Sequence, residues 1–302
     1  MNLINFFEKN FWLPLGISLL LGLALPSFGK NLSVLIIPVI MLNFFLSCLK
    51  IDFLEVVEHI KRPLFIIYIL VIYLLIVPVV FYYIFQAINP DIAVGILLLA
   101  SMPPGVSSIV LTDIFEGNAS LSMAISIPAY LISPFTVPLL FLILTQKQIA
   151  LDVNSLFKTL LFVNFFPLIV SQIVRKTSNK FIEKTKAYYN IVNILCIAVT
   201  IYIVTAVQAK NILGNPYIAL YGVLWISMLF IGLYFIGYFA GFWRKKEDKI
   251  ALAVSKVYMN NALAIGLAAT FFSPKIALLM VLSEVPWAMT QGIFKYVTKQ
   301  LN

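Results

Sequence analysis

Few residues of this chain are equipped for chemistry inside an apolar medium, and they gather at three breaks in the hydrophobic pattern. In "LLLASMPPGVSSIVLTDIFEGN", Pro103, Pro104 and Gly105 are followed by Val106, Ser107 and Ser108. In "SKVYMNNALAIG", Lys256 is followed by Asn260 and Asn261, and Glu284 sits in "VLSEVPW". The two prolines lack N–H donors and their rings clash with the preceding turn, so a helix arriving from Leu97 must split there. A new half-helix then starts near Val106, presenting unpaired N–H groups and the positive end of its dipole. Asn260 and Asn261 are good caps for a second such start. Helix ends, amides and hydroxyls in one place bind a small anion or a polar solute. The plainer alternative is a proline kink with a satisfied asparagine pair.

Nothing else suggests bond-breaking chemistry. No nucleophile–base pair, zinc spacing or phosphate loop is present. His59 is the only histidine. Cys48 and Cys196 stand alone in apolar surroundings and read as small hydrophobes. The expectation is therefore no enzyme, no metal site and no cofactor. Asp113 and Glu116 read as solvated turn residues. Tyr73 and Trp287 fit packing or interfacial anchoring as well as a cavity wall. Ser101 and Ser107 can also bond back to preceding carbonyls.

The elements that hold these residues follow from composition. Hydrophobic residues make up 62% of the 302 positions and charged ones only 11%, whereas a soluble domain keeps roughly a quarter charged. Apolar runs of about 20 residues recur, each long enough for about 30 Å of hydrocarbon. The fold class expected is an all-α polytopic membrane protein, with the lipid bilayer as its solvent and no separate soluble domain. Hydrophobic runs predict ten spans near 11–28, 31–48, 63–88, 92–115, 119–146, 155–174, 187–207, 216–241, 249–272 and 275–298. "KIDFLEVVEHIKRP" is amphipathic and is expected in the interface. "MNLINFFEKN" does not read as a cleavable signal peptide.

Charge orients the bundle. Lys50, Lys61 and Arg62, then Arg175, Lys176, Lys180, Lys184 and Lys186, then Arg244, Lys245, Lys246 and Lys249 fall on one face with Lys9, Lys295 and Lys299. The opposite face holds only Lys30, Lys147, Lys158, Lys210 and Lys275. Positive charge marks the cytoplasm, so both termini are expected inside and the span number even. The +9 net charge is a topology signal and does not indicate nucleic acid.

Ten spans divide into two fives, residues 1–150 and 151–302, and an odd number inverts one half relative to the other. "NFWLPLGIS" and "NFFPLIVS" align at an offset of 153, matching Pro14 to Pro167 and Ser18 to Ser171. The same offset carries Pro103, Gly105, Ser107 and Ser108 onto Lys256, Tyr258, Asn260 and Asn261. Two interrupted segments at equivalent places in inverted halves mark a transporter's binding site.

At these residues the chain resembles the bile acid/sodium symporter family, within the wider group of bile acid, arsenite, riboflavin and auxin-type carriers. "PPGVSSIVLTDIFEGNASLSMAISIPAYLISPFTVPLLFLIL" is similar to that family's fourth and fifth spans. "VYMNNALA" is similar to its ninth-span motif, usually Glu-Val-Gly-Met-Gln-Asn, and "NPDIAVG" extends the likeness over most of the chain. The resemblance implies one transporter unit of ten spans: a panel domain of spans one, two, six and seven, and a core domain whose broken fourth and ninth spans cross.

Its sodium sites are altered here. The residues matching the first site are Ser108, Ile109, Ser122, Ser126 and Lys256, where the family has Ser, Asn, Ser, Thr and Glu. The second site's glutamines match Tyr73 and Asn260, with backbone oxygens from Val257 and Met259 and the shared glutamate again Lys256. The family's substrate-facing Thr matches Val106, and its crossover Asn is kept as Asn261. A cation beside Lys256 would be repelled in low dielectric, and hard cations need several oxygen ligands.

The function expected is secondary active transport of a small organic anion by alternating access, without sodium, Lys256 supplying the charge that sodium supplies elsewhere. An ordinary sodium-coupled organic anion symporter is one alternative, and a non-transporting receptor or sensor with the same fold is another. Bile acids, pantoate and oxo acids all occur among apparent relatives. A lysine at this depth costs about 2.5–3.5 kcal/mol on insertion scales and faces a partner or a cavity. Two expectations follow: an ion pair with Glu284, at comparable depth by span counting, or a lysine that loads and releases a proton. The membrane expected is the inner, or plasma, membrane.

Overall fold

The computed structural model describes residues 12–50, 63–145, 151–214 and 216–300. All of the amphipathic stretch but its end residues Lys50 and Pro63, with His59, falls at 51–62, and the N-terminal leader reading falls at 1–11; both segments lie outside the described residues.

Proline opens five of the helices, where its missing N–H removes a donor that has no helical partner anyway. The chain runs through α1 (Trp12–Ala24), α2 (Pro26–Asn31) and α3 (Ile36–Cys48), then α4 (Pro63–Val71). One π-helical turn, Ile72–Ile76, leads from α4 into α5 (Val77–Ile88). The first interrupted span is α6 (Pro90–Ser101) and α7 (Ser107–Ile114). There follow α8 (Ala119–Thr145), α9 (Val153–Thr177), α10 (Asn179–Thr185), α11 (Tyr189–Gly214) and α12 (Pro216–Phe239). The second interrupted span is α13 (Lys246–Val257) and α14 (Asn261–Phe271). The described chain closes with α15 (Pro274–Leu282) and α16 (Glu284–Gln300).

Among the described residues, six stretches are long and apolar enough to cross a membrane, and four shorter apolar helices accompany them. Large apolar side chains such as Leu64, Ile143 and Phe235 stand exposed on the outer surface, as a lipid-facing surface requires. The protein is an all-α, multi-pass membrane protein. α11 packs along α1 and α3, α9 against α3 and α8, and α12 against α13. The α12–α13 approach is set by Gly237, where a Cβ would lie 2.7 Å from the Ala253 Cα; small residues let membrane helices come this close.

The turn between α7 and α8 is pinned to the start of α13. Asn118 N donates to the Glu247 carbonyl at 2.9 Å. Its Nδ2 donates to Asp248 Oδ1 at 2.8 Å, and Asp248 pairs with Arg244 at 2.6 Å. Asp113 and Glu116 are exposed beside this turn.

Candidate functional site

The two interruptions meet. Gly105 N donates to the Tyr258 carbonyl at 2.8 Å, and Asn260 N donates to the Pro103 carbonyl at 2.9 Å. These bonds frame an antiparallel bridge between Pro104 and Met259. Backbone freed from one helix is thus satisfied by backbone freed from the other, the condition for irregular chain at this depth. Gly105 is required by the close approach: a Cβ there would lie 3.1 Å from the Met259 carbonyl oxygen and 3.2 Å from that of Tyr258.

From this crossing α7 starts with Val106 at its cap and α14 with Asn260, whose side chain accepts from Leu263 N at 3.1 Å. Both new N-termini border a cavity of about 400 Å³. One wall is the crossing itself, with Gly105, Val106, Ser107, Asn260 and Asn261. The facing wall comes from α3 (Asn43, Ser47, Lys50) and α11 (Asn190, Asn193). Tyr130 of α8 and Glu284, Trp287 and Gln291 of α16 complete the lining. The facing wall is internally bonded: Asn43 Nδ2 to the Asn193 carbonyl at 3.1 Å, Asn193 Nδ2 to Ser47 Oγ at 3.0 Å, and Lys50 Nζ to Asn190 Oδ1 at 2.5 Å.

Three groups lining this space are buried without a well-formed hydrogen bond inside the protein: the Asn261 amide, the Tyr130 hydroxyl and Asn193 Oδ1. A buried polar atom left unbonded costs about 1–3 kcal/mol, so this cavity suits a polar guest or water.

Lys256 lies apart from the cavity, in the last turn of α13, 2% exposed. Its Nζ donates to the Tyr73 carbonyl at 2.8 Å and the Ala100 carbonyl at 2.7 Å. It also stands 5.5 Å from the Tyr73 ring centroid. Both acceptors were orphaned by proline. In the α register the Ala100 carbonyl would bond residue 104, which is Pro104. In the π register, seen in the Val77 N to Ile72 carbonyl bond, Tyr73 would bond residue 78, which is Pro78.

The sequence-derived site residues divide accordingly. Val106, Ser107, Asn260 and Asn261 come together at the cavity. Ser108 does not; about 100° round the helix from Ser107, it is fully buried between helices. Ser122 shares a bond with Ser255 at 2.9 Å, and Ser126 bonds back to the Ser122 carbonyl. Tyr73 is interior, its hydroxyl donating to the Leu252 carbonyl at 2.7 Å; Trp287 lines the cavity. Ser101 bonds back to the Leu98 carbonyl.

The Lys256–Glu284 ion pair does not form. The ammonium is turned to the proline-orphaned carbonyls, while Glu284 faces the cavity beside the Asn261 amide. The facing wall went unread in the sequence, though Asn43, Ser47 and Lys50 recur at i, i+4 and i+7, the spacing of one helix face.

Comparison with known proteins adds the following. The family model of SBF-like CPA transporters matches residues 9–295. An uncharacterized sodium-dependent transporter YocS of Bacillus subtilis is 29% identical over 205 residues, covering 66% of this chain and 60% of its own. YbaS of the same organism is 22% identical over 224 residues, 71% of each chain. Sodium/bile acid cotransporter 7 of Rattus norvegicus is 26% identical over 237 residues, covering 73% of this chain and 68% of its own.

Proposed function

We propose, on the premise that this chain belongs to the SBF-like CPA transporter family, that it carries a small organic anion across the membrane by alternating access and without sodium. The observation that carries the reading is the position of Lys256. Its ammonium is held by two backbone oxygens at 2.7 and 2.8 Å, beside the helix crossing, at the position matching the family's shared sodium-site glutamate. A tethered cation there gives the crossing the positive charge that a bound sodium ion would give. The carboxylate of the substrate then lies at the N-termini of α7 and α14, with Asn261 and Ser107 as donors.

The remaining architecture fits this reading. Helices α1–α3, α9 and α11 would form a panel, and the helices of the other six spans a core that moves against it. The ten-span count, the inverted halves at 1–150 and 151–302, cytoplasmic termini and residence in the plasma membrane belong to the same proposal. Supporting it are the two interruptions at a common sequence offset and the basic residues gathered on one face.

Ordinary sodium-coupled symport is the second reading, favoured by relatives named as a sodium-dependent transporter and a sodium/bile acid cotransporter. Uptake of labelled carboxylates into proteoliposomes, with sodium and pH gradients imposed separately, decides between them. Uptake indifferent to sodium and lost in Lys256→Gln supports the tethered cation. Uptake that needs sodium and survives Lys256→Gln sinks it.

A further inference from the structure

We propose that Glu284 is the proton-coupling group of this carrier: it takes a proton when the anion binds beside Asn261, so that proton and anion cross together. The proposal rests on the organic-anion reading above and deepens it. Glu284 is 9% exposed, on the wall of the cavity, with its carboxyl beside the Asn261 amide, whose two polar atoms make no well-formed hydrogen bond within the protein. No ion pair among the described residues includes it.

The charged and titratable groups on the surrounding elements are accounted for otherwise. Lys50 of α3 stands on the facing wall, bonded to Asn190. Lys256 of α13 is turned to the Tyr73 and Ala100 carbonyls. Tyr130 of α8 is a phenol, and the hydroxyl of Tyr258, which caps α13, bonds to that of Tyr234 on α12. The parts of α7, α11 and α14 that line the cavity bring no charged side chain to it.

An anion at Asn261 would lie within about 4–6 Å of this carboxyl, the range in which a like charge disfavours ionisation. The two sites therefore titrate together, and binding the anion strengthens binding of the proton. The proton comes from water on the open side, converts the carboxylate to the acid, and leaves to water on the other side. Charge is then conserved in the moving core. The empty carrier holds Lys256 positive and Glu284 negative. The loaded carrier holds Lys256 positive, Glu284 neutral and the substrate negative. Both cross with the same net charge, so transport of a monovalent anion is electroneutral with one proton per anion.

The test uses the full chain in proteoliposomes with labelled pantoate, pyruvate and cholate as probes, and with potential clamped by valinomycin and potassium. The expected result is that one pH unit, acid outside, drives accumulation of a transported probe toward about tenfold. It should be indifferent to the clamped potential, and a luminal pH dye should report one proton per anion. Glu284→Gln should still exchange labelled for unlabelled probe, at an altered rate, and lose pH-driven accumulation; Glu284→Asp should recover part of it. Accumulation by Glu284→Gln in a pH gradient, or accumulation by the parent that follows potential, overturns the proposal. So does exchange by the parent with no response to pH. Loss of all exchange in Glu284→Gln, with pH-indifferent uptake by the parent, overturns it too and makes Glu284 a receptor for a cationic group. If the parent exchanges none of the three probes, the organic-anion reading fails first and takes the coupling proposal with it.

Discussion

Lys256 donates to the carbonyl of Ala100 at 2.7 Å, the carbonyl that Pro104 deprives of its helical donor. The same ammonium serves the Tyr73 carbonyl, deprived in turn by Pro78. One side chain thus closes two backbone defects on separate helices and ties α13 to both. A structural role of this kind and a role as tethered charge are compatible, and they predict different measurements.

The structural role predicts a cost in stability. Lys256→Met keeps the volume but removes the donors, leaving two buried carbonyls unbonded. Unfolding in detergent should show a loss on the order of 1–3 kcal/mol for each. Restoring an N–H with Pro78→Ala should offset part of that loss in the double variant, giving a coupling of about 0.5–3 kcal/mol. Additive losses would show that Lys256 does not serve the Tyr73 carbonyl.

Asn260 and Asn261 are neighbours with different work. The Asn260 side chain caps α14 through Leu263 N, so Asn260→Ala should lower stability by about 1 kcal/mol. The Asn261 amide makes no well-formed hydrogen bond and stands beside the Glu284 carboxyl, so Asn261→Ala should cost less stability than Asn260→Ala and abolish transport. Thermal unfolding and anion uptake measured on both variants check this; retained uptake by Asn261→Ala moves the substrate elsewhere.

Gly105 is fixed by space. A Cβ at that position meets two carbonyl oxygens of the facing segment at 3.1 and 3.2 Å, and carbonyls on a paired backbone cannot swing away as a flexible side chain would. Gly105→Ala should push the Pro104–Met259 bridge apart and depress uptake by more than tenfold at normal membrane insertion. Unaltered uptake would mean that the crossing tolerates separation.

These features differ in how far the sequence reveals them. Pro103, Pro104, Gly105 and Asn260 announce the breaks because their conformational chemistry is local. That the breaks pair with one another was suggested by their common offset. The partners of Lys256 are backbone carbonyls, which every residue has, so no side-chain pattern could single out Tyr73 and Ala100; an acidic partner, Glu284, was the visible candidate and is turned elsewhere. Ser108 looked equivalent to Ser107 because adjacent polar residues give no hint of which one a half-helix turns outward. Asn43, Ser47 and Lys50 kept helical spacing, yet isolated polar residues in an apolar span read as readily as internal hydrogen bonding.

The cavity also predicts access. Asn190 is an exposed wall residue bonded to Lys50, and in the orientation proposed above the basic residues around Lys50 and the α9–α11 turn would lie on the cytoplasmic side. In a background where the buried Cys48 and Cys196 are replaced by serine, Asn190→Cys should react with a membrane-impermeant maleimide in inside-out vesicles and not in right-side-out ones. Ser107→Cys lines the same cavity at the start of α7 and should react from the same side, with a saturating transported anion slowing it. The position at the crossing matters because alternating access requires that the crossing, and not only the mouth, change sides. Labelling of Asn190→Cys from the outer face would reverse the orientation, and labelling of Ser107→Cys that no transported anion slows would separate the cavity from the substrate path.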